Sequence, residues 1–158
     1  MTLSLRGKYM IDNLTITRVW QDDDFFQIEV NCNNQFASAK SRIYTDDCLI
    51  DDLYNKVGMF LSGQEDSVFW QNGTKGNATT PCISLRFLHK DKVGHIFIEV
   101  FVEIEDGGDF DTHNCCFYIN TEMGLLYQFR DKLLNVKKKQ LGVQVSLNGD
   151  NSTIESFL

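Results

Sequence analysis

The chain has a single proline among its 158 residues. Long strands and helices are therefore rarely interrupted by a residue that lacks a backbone donor. It has no CxxC pair, which removes the usual zinc-ligand spacing, and neither GxGxxG nor GxxxxGK(S/T), which removes the usual phosphate cradles. No serine stands in a G-x-S-x-G turn, and no protease-type signature surrounds any of the five cysteines. No apolar run approaches the roughly 18 residues of a membrane span. None follows Arg6 and Lys8 either, so a secretory signal is not expected. With cysteine odd in number, reduced thiols in a cytoplasm are the simplest expectation. The N-x-S/T sequons at Asn13, Asn72, Asn77 and Asn151 then read as chance. Basic residues are also short: 15 Lys and Arg against 22 Asp and Glu, a net charge of −7. That balance disfavours nucleic acid and anionic membranes. It suits a basic protein partner, or solubility alone.

What is present points to one soluble α+β domain. Hydrophobic content is 42% and phenylalanine occurs 12 times, values that suit a packed, strand-rich core. The clearest element runs from His95 to Ile104. Ile96, Ile98, Val100, Val102 and Ile104 share one face, and His95, Phe97, Glu99, Phe101 and Glu103 share the other. Such a strand packs one side and keeps the other partly wet. Residues 10–44 read as a three-strand meander, with Ala37, Ala39 and Ser41 on one face of its last strand and Lys40 and Arg42 on the other.

A helix is expected over 46–61, capped by Thr45 and closed by Gly63, with Leu49, Ile50, Leu53, Val57, Phe60 and Leu61 as its apolar stripe. Short strands at 68–70, 82–88 and 115–119 follow, with a Gly/Asn-rich loop at 71–80. A second helix over 122–138, capped by Thr121, buries Leu126, Phe129, Leu133 and Val136. A last strand lies near 143–147, and residues 1–9 and 148–158 read as loose ends. The expected architecture is an antiparallel sheet of about seven or eight strands with two helices packed on one face.

Candidate chemistry is sparse. His113, Cys115 and Cys116 are close in sequence, but alternation turns Cys116 away from the other two, so a metal site there would need distortion. The acids Glu99, Glu103, Glu105, Asp106, Asp109 and Asp111 cluster with no Lys or Arg among them. They read as a solvated hairpin tip or as a contact surface for a basic partner. Arg86, on the neighbouring strand, can pair with Glu99.

Several motifs occur in a fixed order. Trp70 precedes a Gly/Asn-rich turn and the alternating strand 82–88. Asp91-x-x-Gly94-His95 opens the long strand. Tyr118-Ile119-Asn120-Thr121-Glu122 precedes a helix with Leu125, Leu126 and Phe129. This order, with the upstream block carrying Leu53 and Phe60, resembles a group of small bacterial domains that includes immunity proteins of the WapI type, carried beside polymorphic or contact-dependent toxins. The resemblance spans 14–134 and departs at 105–114, where this chain has a longer acidic loop. It implies a non-enzymatic inhibitor that covers one basic toxin domain in the producing cell, with no catalytic residue and no cofactor. The alternatives are a small-ligand or metal-binding domain, or an enzyme with an unfamiliar motif. A homodimer through the Phe97 and Phe101 sheet face is a further possibility.

Overall fold

Alternation of apolar and polar side chains builds two sheets rather than one. The computed structural model describes residues 8–76, 80–104, 113–149 and 153–155. Its strands are β1 (Lys8–Met10), β2 (Asn13–Gln21), β3 (Phe26–Asn33), β4 (Ser38–Thr45), β5 (Ser67–Asn72), β6 (Ile83–His89), β7 (His95–Ile104), β8 (His113–Glu122), β9 (Gln144–Ser146) and β10 (Thr153–Glu155). Helix α1 (Asp47–Leu61) follows β4, and α2 (Met123–Leu133) follows β8. The expected meander is β2–β3–β4, and β9 adds to its free side in the order β4-β3-β2-β9. The second sheet is β5-β6-β7-β8, again antiparallel throughout.

The α+β class, the eight main strands and the two helices match the sequence reading. The strands divide four and four, and both sheets carry a mainly apolar face, with Arg18, Ser41, Thr45, Asn72 and Thr121 as its buried polar members. Each covers that face most completely by turning it toward the other and the helices. One shared core results: Ile28 and Val30 from the first sheet, Leu85, Ile98 and Val100 from the second, and Leu53, Phe60 and Phe129 from the helices, all at or near zero exposure. Burying each such side chain stabilises the fold by about 1.5–3 kcal/mol.

Three local readings change. Met10 belongs to β1, which pairs with β10 between segments read as loose ends and the first long strand. β2 opens at Asn13 instead, whose buried amide donates to Ser146 Oγ at 2.9 Å and accepts from the Asn148 N–H at 3.0 Å, tying β2 to β9. Asp46, not Thr45, caps α1: its Oδ1 accepts from the Leu49 N–H at 2.8 Å, while Thr45 completes β4 as a buried residue. Thr121 likewise lies inside β8, and no side chain caps α2. That helix ends ten positions after Met123 and passes into a single 3₁₀ turn, Leu134–Lys137, so the expected helix over 122–138 is shorter than its apolar stripe. Val136 is buried from that turn all the same.

Gly63 closes α1 as expected, at φ +80°, a backbone angle that favours glycine. Gly58 lets the helices approach. A Cβ there would meet the Arg130 guanidinium at 2.5 Å, and that group donates from Nε to the Tyr54 carbonyl at 2.9 Å. Trp70 fixes α1 on β5 by donating its indole N–H to the Leu49 carbonyl at 2.9 Å.

Candidate functional site: two outward surfaces

The acids named from the sequence do not act as one group. Glu105, Asp106, Asp109 and Asp111 lie outside the described residues. Glu103 is only 3% exposed. Its two oxygens accept backbone N–H groups from Cys82 at 3.0 Å and Gly76 at 2.9 Å, so it fastens the β5–β6 connection to β7. That is a correction to its expected place on a contact surface. The outward parity of β7 still holds at Glu103, but the backbone N–H groups of Gly76 and Cys82 reach its carboxylate and replace water. Glu99 does face solvent. It lies 3.6 Å from Arg86 Nε, as the sequence suggested, and accepts the Tyr118 hydroxyl at 2.8 Å. That hydrogen bond to a carboxylate raises the Tyr118 pKa.

Register makes Glu99 part of a grid. Phe69 pairs with Arg86, Arg86 with Glu99 and Glu99 with Tyr118, one rung across all four strands. The next rung on one side is Ser67, Leu88, Phe97 and Asn120; on the other it is Gln71, Ser84, Phe101 and Cys116. Its charges are engaged within the molecule. The Arg86 guanidinium stacks 4.6 Å from the Phe69 ring, Lys75 lies over Phe101 at 4.2 Å and Lys90 over Phe97 at 5.2 Å.

A second surface was not recognised from the sequence. The β2–β3 turn carries Asp22, Asp23 and Asp24, and the β4–α1 junction carries Asp46 and Asp47. Phe26 pairs with Thr45, so both segments lie at one end of the meander. The carboxylates line a cleft of about 320 Å³ that Phe25 shares with Arg18, Lys137 and Lys139. Two of these cations are already held: Arg18 is buried and donates to the Val136 carbonyl at 3.0 Å, and Lys137 donates to Asp51 at 2.7 Å. Among the described residues none of the five carboxylates forms an ion pair.

Aromatic rings stand beside them. Phe25 is 52% exposed, and Trp20 and Tyr44 meet edge to face at 5.8 Å with more than two fifths of each exposed. The signal for this patch was present: in a meander with short turns, the β2–β3 turn and the exit of β4 must share an end. The two aspartate runs belong to separate local elements, and only strand register brings them together.

Among the described residues no three His, Cys, Asp or Glu gather to hold a metal ion, and no helix is long and apolar enough to cross a membrane. Cys115 and Cys116 take opposite faces of β8, as alternation requires. His89 stacks on Phe60 at 4.4 Å, and His95 Nδ1 meets Asp91 at 2.6 Å, so both contribute to local packing. Fold and surfaces together define an α+β domain with two decorated outer surfaces. Comparison with protein families, with curated proteins and with solved structures finds no match.

Proposed function

We propose that this chain is a non-enzymatic binding protein that covers a basic protein domain, as an immunity protein covers its toxin. The observation that carries this reading is the acid–aromatic end: Asp22, Asp23, Asp24, Asp46 and Asp47 without ion pairs, beside exposed Phe25, Trp20 and Tyr44. Unpaired carboxylates steer a basic partner and select against acidic ones. Exposed rings supply the desolvated anchors that hold it. Occlusion needs no catalytic residue, only a surface that competes with the toxin's own substrate. The net charge of −7 adds a long-range attraction of the same sign.

The test is tagged capture from the native cytoplasm at low and then high salt, with co-expression of the captured protein. A basic partner, released as salt rises and rendered harmless to cells by this chain, is the expected result. Asp23→Lys with Asp24→Lys should weaken that complex at least about tenfold, or about 1.4 kcal/mol, and flatten its salt dependence. Asp106→Lys with Asp109→Lys is the parallel arm for the acidic loop read from the sequence. Unchanged affinity in both arms would remove acidic steering from the function. A small molecule or metal retained by the purified chain, with no protein partner, would favour a ligand-binding role.

A further inference from the structure

We propose that the outer face of β5–β8 binds the same face of a second copy of this chain, with the two-fold axis running along the strands between β6 and β7. The proposal uses a different surface from the acid–aromatic end and does not depend on the partner bound there. The central rung reads Phe69, Arg86, Glu99, Tyr118. It is aromatic at both ends and carries opposite charges in the middle. Rotation about an axis along the strands sets β6 against the partner's β7 and β5 against the partner's β8. Arg86 then meets Glu99 twice, and Phe69 meets Tyr118 twice.

The flanking rung obeys the same rule, with Leu88 opposite Phe97 and Ser67 opposite Asn120. The alternative axis, across the strands, would place Arg86 on Arg86 and Glu99 on Glu99, which like-charge repulsion disfavours. Charge therefore selects one of the two face-to-face arrangements. Both charged groups, though paired within the chain, are partly exposed toward a second copy, with the Arg86 side chain 42% and the Glu99 side chain 33% exposed. Phe69 and Tyr118 are exposed as well, at 37% and 47%. The ammonium groups of Lys75 and Lys90 lie over rings at opposite ends of the grid, and their flexible stems let them swing to the rim.

Four strands and three rungs, the third of them covered at Ser84, span a patch of at most roughly 20 Å on a side, which places the interface at the low end for a specific contact. Association is accordingly weak and concentration-dependent. Sedimentation equilibrium across the micromolar range tests it on the full chain. The wild type should pass from monomer to dimer, and Arg86→Glu alone or Glu99→Arg alone should weaken dimerisation at least about tenfold. An equimolar mixture of those two variants should restore it, because each then meets its opposite. Leu88→Lys leaves the Arg86–Glu99 pair in place and should also abolish the dimer, so the proposal remains testable if a charge reversal unfolds the chain. A wild type that stays monomeric to its solubility limit, or a dimer indifferent to these substitutions, overturns it.

Discussion

On the outer face of β5–β8, Arg86 lies between Glu99 and the Phe69 ring, and Lys75 and Lys90 each cover a phenylalanine. At the β2–β3 turn and the β4–α1 junction, Asp22, Asp23, Asp24, Asp46 and Asp47 have no cation among the described residues bound to them as an ion pair. The first surface has satisfied its charges internally and presents both signs in a symmetric row. The second gathers five carboxylates outside any ion pair, with Lys139 also at the cleft, beside open aromatic rings. A surface with paired charges gains little from a highly charged stranger but can match a copy of itself. A surface with unpaired charge of one sign is attracted to the opposite sign wherever that occurs. One chain thus carries two kinds of outer surface, distinguished by where the counter-charges are.

The largest effects test which side of the second sheet is core. Phe87 is fully buried against Phe60, at 6.2 Å between ring centres, whereas Phe97 is half-buried on the outer grid. Phe87→Ala should cost about 3–5 kcal/mol in urea unfolding. Phe97→Ala should cost about 1 kcal/mol, the scale of its edge contact with Tyr118. Equal losses would mean that the outer grid is structural, and the comparison would collapse.

Next in size is the contrast between two glutamates on one strand. Glu103→Ala leaves the Cys82 and Gly76 N–H groups without their acceptor and should cost about 2–3 kcal/mol. Glu99→Ala removes a partly exposed pair and should cost less than about 1 kcal/mol. The same pair of denaturation curves checks both; a larger loss at Glu99 would reverse their roles.

That contrast also marks how far the sequence could be read. Period two placed Ile96, Ile98, Val100 and Val102 inside, and all four are at zero exposure. Spacings of three and four placed Ile50, Leu53, Val57 and Phe60 on the buried stripe of α1. The Arg86–Glu99 pair followed from strand geometry. These are local rules, and they hold because burial of a repeating face dominates the energy of each element. Glu103 was misread because alternation fixes the direction of a side chain but not what a distant loop lays over it. The division into two sheets was missed for a related reason. Each strand's pattern states that one face is covered, and covering it with a second sheet or with helices gives the same pattern. The acid–aromatic end needed one further step, from strand register to the meeting of two turns.

The smallest effect sharpens the comparison most directly, since it concerns why the acidic end keeps its charge. Asp22 Oδ1 accepts the N–H groups of Phe25 at 2.7 Å and Asp24 at 2.9 Å. These hydrogen bonds, Phe25 first, hold its carboxyl below the usual carboxylate range although the group is at the surface. A folded-state pKa below the unfolded one contributes stability that is fully present above the unfolded value of about 3.9, and is lost as pH falls through the lower folded value. Asp22→Asn keeps an oxygen for the turn but removes the charge. It should therefore lower the urea midpoint slightly at neutral pH, and the gap from wild type should close on acidification below about pH 4. A gap that ignores pH would mean that the turn holds any acceptor equally well. A gap that closes would mean that the turn favours the ionised carboxyl, whose hydrogen bonds come from the backbone N–H groups of Phe25 and Asp24.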